Sequence, residues 1–182
     1  MKATRLFAFA LALCLSLAAL AKAPQQNAAK PVPAVTGFRA EFLANLDDVQ
    51  TKILSLAEAT PADKFSWRPA PGVRSISEVY MHIAGANYFL ATFLGVAAPK
   101  ANGDMEMTVT KKADVLAELR KSFEHLRNAA NASTDLDKPT KMFGANTTHR
   151  GVLMTMLSHL HEHLGQSVAY ARMNGVVPPW SH

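Results

Sequence analysis

Residues 148–175 read THRGVLMTMLSHLHEHLGQSVAYARMNG, and this stretch decides the fold. Val152, Leu153, Met156, Leu157, Leu160, Leu164 and Tyr170 recur at three- and four-residue spacing, which gathers them on one face of a helix. Thr147-Thr148 supplies a start. Asn174-Gly175 supplies a stop, and Pro178-Pro179 prevents the helix from resuming. The spacing predicts a helix ending at Met173.

Three more segments have the same character. Phe38, Phe42, Leu46, Val49, Ile53 and Leu56 predict a helix from Thr36 to about Glu58, ended by Thr60-Pro61. Ser75-Ile-Ser-Glu78 is a capping box, in which a hydroxyl and a carboxylate satisfy each other's backbone N–H groups, and it opens a helix to about Leu94. Val115, Leu119, Phe123 and Leu126 mark a helix over about Lys112–Ala132. No segment sustains a strand-like alternation. The expected fold class is therefore all-α, a four-helix bundle with long inter-helix loops. Gly95–Thr110 reads as loop with a short extended piece near Met105–Val109, and Ser133–Asn146 reads as a second long loop. Their length predicts crossover connections.

The start of the chain has a different character. Lys2 and Arg5 precede the apolar run Leu6–Leu20, and Ala19-Leu20-Ala21 offers a small-x-small cleavage site. Residues 1–21 are expected to be a secretory signal peptide, which places the mature protein in the periplasm or outside the cell. The run is too short to remain comfortably as a membrane anchor. Residues 22–34, KAPQQNAAKPVPA, contain three prolines and read as a flexible linker. Residues 35–182 are one domain's worth of chain.

Charge and cysteine content exclude several functions. Without Lys2 and Arg5 the 19 basic residues become 17 against 14 acidic ones, a net of +3. The basic residues are scattered, so no nucleic-acid surface is expected. Cys14, the single cysteine, lies inside the signal. Disulfides, thiolate nucleophiles and cysteine-ligated zinc are thereby excluded from the mature chain.

Seven histidines remain to be placed, three of them in His159-Leu-His161-Glu-His163. HExxH is absent, which removes the zincin-type protease. Helix phase separates the cluster. Positions four apart lie about 40° apart on the same face, whereas positions two apart lie about 200° apart. His159 and His163 can therefore address one ion, and His161 points away. Both members of the pair sit at the edge of the apolar face, with Gln166 beside them. On the second helix His82 borders the face formed by Val79, Ile83, Ala86 and Leu90. Three imidazoles on two helices can meet at the mouth of the bundle, and three neutral histidines plus water form an open zinc site. A histidine at a core margin also commonly serves as a hydrogen-bonded structural residue, so spacing alone leaves both readings standing. His125 and His149 read as surface residues. No carboxylate is assigned to the site: Glu162 lies away from it, and Glu78 is taken by the capping box. Gln166 is placed to hydrogen-bond a water or a ligand histidine.

These residues also carry a resemblance. Trp67-Arg68-Pro69 followed by Ser75-Ile-Ser-Glu-Val-Tyr-Met-His82-Ile-Ala-Gly-Ala resembles the second-helix region of DinB-like (YfiT-related) proteins. His159-Leu-His-Glu-His163-Leu-Gly165-Gln166, with Ala171-Arg172-Met-Asn-Gly175 and Pro178-Pro179, resembles their last helix and tail. The likeness covers about Val35 to Trp180. It implies an up-down-down-up bundle, often dimeric, with a divalent metal on His82, His159 and His163. Zn2+ is the expected ion and Ni2+ the alternative. The resemblance implies a thiol S-transferase, and a metal-bound water would instead make a metal-dependent hydrolase, acting on a small molecule whose identity the sequence does not give. A non-catalytic metal-stabilised bundle and a small-molecule binding module are the other classes it leaves open.

Overall fold

The computed structural model describes residues 37–100 and 104–181. The expected signal peptide and linker lie outside these residues. Helix α1 spans Phe38–Ala59, α2 Ile76–Ala91, α3 Met105–Thr108, α4 Lys112–Ala132 and α5 His149–Met173; strands β1 (Pro139–Met142) and β2 (Ala145–Thr148) precede α5. Ser75 caps α2 as expected, accepting from the Glu78 amide at 3.3 Å while its own amide donates to Glu78 Oε2 at 2.9 Å. Arg68 then donates to the other carboxylate oxygen at 2.6 Å, fastening the loop before α2 to its first turn. A single 3-10 turn, Thr92–Leu94, extends α2 to the expected end. Thr148 accepts from the Gly151 amide and caps α5. A side chain at position 151 would meet the Thr147 hydroxyl, which would have to turn away to admit it.

The four long helices pack in a ring in which α1 and α2 each touch α4 and α5. Hence α1 faces α2 across the diagonal, and α4 faces α5. Directions follow from contacts at the ends. Arg39, at the start of α1, donates to Asn131 and Ser133 carbonyls at the end of α4, while Lys112 at the start of α4 donates to Glu58 and Thr60 carbonyls at the end of α1. Arg150 lies 5.0 Å over the Phe38 ring, which brings the starts of α1 and α5 together. Thr60, Ile76 and Tyr170 share one small cleft, which brings together the ends of α1 and α5 and the start of α2. The order is up-down-down-up. The crossings are the α1–α2 and α4–α5 connections. The α2–α4 connection joins parallel neighbours, so it is no simple hairpin and returns along the bundle, as its length predicted.

Leu46, Val49, Ile53, Met81, Ile83, Val115, Leu119, Phe123, Leu126, Val152, Leu153 and Leu160 are fully buried. The periodic positions thus form one core, as a sum of apolar stripes should. Among the described residues, no helix is long and apolar enough to cross a membrane.

Two expected loops hold structure. The extended piece near Met105–Val109 is instead the helical turn α3, with Met105 buried against α2. Within Ser133–Asn146 an antiparallel hairpin pairs Pro139 with Thr148 and Met142 with Ala145. The α4–α5 crossing continues from it, with the His149 amide donating to Lys138 O and the Arg150 amide to Leu136 O.

Candidate metal centre

Helices α2 and α5 run antiparallel along one seam, and the two histidine-bearing edges meet there. His82 Nε2 lies 3.2 Å from His159 Nε2, across 77 residues of sequence. One ring nitrogen from each of His82, His159 and His163 falls within 4.8 Å of the others. The ring centroids are 5.1, 4.7 and 4.4 Å apart and the planes are tilted, so the rings converge on a point rather than stacking. Two ligands of a tetrahedral ion, each about 2.0–2.1 Å from it, stand roughly 3.3–3.4 Å apart. The His82–His159 spacing matches that geometry, and the three histidines could hold a metal ion. His161 is exposed and its Nδ1 lies 2.9 Å from Leu157 O on its own helix, away from the cluster.

The groups behind the ligands set their tautomers. His82 Nδ1–H donates to Glu106 Oε1 at 2.9 Å, which leaves Nε2 bare toward the cluster. His163 Nδ1–H donates to Gln166 Oε1 at 2.8 Å, and Gln166 Nε2 donates onward to the Tyr170 hydroxyl at 3.1 Å. Partners of this kind orient metal-ligating imidazoles and raise their basicity. Gln166 fills the role its place on the helix suggested. Glu106 corrects the expectation that no carboxylate belongs to the site. It rides on α3, 24 residues from His82, and Arg74 grips it through Nε at 2.6 Å and Nη2 at 3.3 Å. No periodic or motif signal points to it. The only local hint is a carboxylate in the loop that follows the His82 helix.

Electrostatics favour the neutral forms of His82 and His159. Burial pushes His159 down to about 4, with His163, His82 and Arg74 adding to the effect. Burial also lowers His82; the Glu106 hydrogen bond opposes the shift without cancelling it. For Glu106 burial pulls upward, but Arg74 and His82 outweigh it and hold the carboxyl below its ordinary range. Neutral imidazole and ionised carboxylate are the forms that ligation and its support require.

The cluster opens onto a cleft of about 490 Å³ lined by His82, Gly85, Phe89, Glu106, Phe143 and Thr155, among others. The other two histidines of interest are not at the surface as expected. His149 is 5% exposed and its Nδ1 is 2.7 Å from Ser133 Oγ, which binds the start of α5 to the end of α4. His125 is half-buried, packed edge-on to Tyr88 at 5.1 Å, and its Nε2 has no hydrogen-bond partner. Neither approaches the cleft.

Fold and site together define a four-helix bundle with a histidine triad at the seam of its second and last long helices. Residues 45–167 match the sequence profile of the DinB superfamily, and the chain belongs to that superfamily. It is similar to a DinB-like protein from Bacillus cereus ATCC 10987, with 21% identity over 78% of this chain and 95% of that one and a TM-score of 0.68. It is also similar to a DinB-like protein, YjoA, from Bacillus subtilis, with 23% identity over 75% and 93% and a TM-score of 0.62. At these identities the likeness is one of fold. No curated protein matches the chain.

Proposed function

We propose that this protein binds a divalent ion, Zn2+ first and Ni2+ second, through His82, His159 and His163, and acts with it on a small molecule held in the adjoining cleft. The reaction class is hydrolysis or group transfer. The observation that carries this reading is the position of the triad: His82 and His159 line a 490 Å³ cleft with His163 buried behind them, so ligand positions remain open on the cleft side. Three protein ligands with an open position distinguish a working site from a closed structural one. An ion bound there would polarise a substrate oxygen or acidify a bound water.

The remaining roles belong to the chain. Glu106 and Gln166 hold His82 and His163 in the ligating tautomer. The apolar wall of Phe89, Leu90 and Phe143 limits water at the open side. Glu106 is engaged by both His82 and Arg74, so it supports a ligand rather than serving as a free general base. We further propose that residues 1–21 direct export and are removed, leaving a mature N-terminus at or near Lys22.

The test is elemental analysis of untagged protein, followed by turnover on ester, amide and thiol-transfer panels before and after metal removal. One equivalent of metal and an activity that disappears with it support the reading. Stoichiometric metal with no metal-dependent turnover makes the ion a staple between α2 and α5. Intact mass of protein from its native host tests export, and a chain retaining Met1 in the cytoplasm would overturn that part.

A further inference from the structure

The aromatic end of the cleft carries a strained turn. Among the described residues, Phe143 is the one non-glycine residue in the left-handed backbone region, at φ 51°. It and Gly144, at φ 83°, are the two central residues of the β1–β2 turn. A turn with both residues at positive φ accepts Asn-Gly or Asp-Gly without strain, whereas a bulky side chain at the first position is an outlier. The Phe143 ring is also 69% exposed, so burial returns little for that strain.

The ring stands 6.1 Å from Phe89 and 5.6 Å from Phe93, which are themselves 5.3 Å apart. Phe89 is 49% exposed, and both Phe89 and Phe143 line the cleft that holds His82 and His159. Phe89 follows His82 by two helical turns, about 10 Å along the axis. Between them Gly85 and Ala86 keep the floor open. The cleft therefore has bare imidazole nitrogens at one end and an aromatic pair at the other. Among the described residues Glu106 is the only carboxylate lining it, and His82 and Arg74 already occupy it.

We propose that Phe143 is a specificity-determining residue, and that the cleft selects an elongated molecule with a metal-ligating oxygen head and an aryl or similarly apolar tail. This rests on the metal reading above and adds the substrate class to it. The strained turn is retained because its ring contacts the tail. Aromatic pairs favour such edge and offset contacts beyond their simple burial.

Two hydroxamates test the idea on metal-loaded full-length protein: acetohydroxamate, which has a head only, and phenylbutanoyl hydroxamate, which has head and tail. Titration calorimetry should show the second binding tighter by roughly tenfold or more. Phe143→Asn removes the ring and suits the turn, so relief of the backbone strain should offset the lost contacts with Phe89 and Phe93 and the variant should melt close to wild type. Its preference for the phenyl probe should fall to about threefold or less, and Phe143→Tyr, which keeps a ring, should restore it. Equal affinity of wild type for both hydroxamates overturns the proposal while leaving the metal site intact. If the protein takes up no metal, the function reading fails instead. Binding of 2-naphthol, weakened in Phe143→Asn, then still tests the aromatic end. A variant that keeps the phenyl preference but loses self-association in sedimentation would make this face a contact between copies and overturn the proposal.

Discussion

His82 Nδ1 and Glu106 Oε1 are 2.9 Å apart, joining a residue of a core helix to one on a four-residue helical turn in the following loop. Arg74, in the loop before the same core helix, holds the carboxylate from the other side. The orientation of the His82 ring therefore depends on two loops. Replacing Glu106 by Ala should weaken metal binding about 10- to 100-fold, the usual cost of losing such a partner. Glu106→Gln keeps an acceptor oxygen and should lose less. Competition against a fluorescent chelator measures both, and an Ala variant with wild-type affinity would remove Glu106 from the site.

The histidine cluster makes a sharper test. His159→Ala and His82→Ala should each lose most bound metal, while His161→Ala should keep near-normal content. His161 is exposed and turned to its own helix, whereas His82 meets His159 from another helix. Adventitious binding to a histidine-rich surface predicts the reverse for His161 and His82. Metal stoichiometry of the three variants decides.

Metal removal should lower the melting temperature. An ion that binds only the folded chain stabilises it by about 2.7 kcal/mol when its free concentration is 100 times Kd, or roughly 5–10 °C for a domain of this size. Calorimetry before and after chelation checks this. An unchanged transition after verified removal would mean that the ion does not stabilise the bundle.

Acid should destabilise the metal-free protein through His149. Burial holds this imidazole below its ordinary range, with Lys138 reinforcing the shift and Asp135 opposing it. As pH falls through about 6.5, the unfolded chain takes up a proton that the folded chain resists. Unfolding then binds protons, so stability falls with falling pH and is fully present above that range. The melting temperature of His149→Gln should decline less steeply than wild type between about pH 7 and 5. Equal slopes would show that His149 contributes nothing to acid sensitivity.

What the sequence disclosed follows from what repeats. Leu46, Val49, Leu119, Phe123, Val152 and Met156 recur with the helical period and all are buried, so the four long helices, their approximate boundaries and the core were legible. The same period paired His159 with His163 and set His161 aside. Glu106 was not legible because its contact with His82 spans 24 residues and is made by a loop, where no period constrains position. The hairpin was hidden for a related reason. Its strands have four residues each and little burial contrast, and the turn carries Phe-Gly where Asn-Gly would have announced it. His149 looked like a surface residue because its covering comes from Ser133, on the far side of the crossing.

The diagonal arrangement of the helices bears on the order in which the protein assembles. His159 and His163 are adjacent as soon as α5 coils, but His82 reaches them only when the α4–α5 crossing has carried α5 over to α2. Contacts between sequence-distant segments are the slow ones to form. The triad is therefore complete only in a chain whose α5 has docked on α2, and an ion held by all three histidines would load tightly only there. In this bundle the ion would certify a finished topology rather than nucleate it, unlike the small zinc modules that stay unfolded until metal arrives.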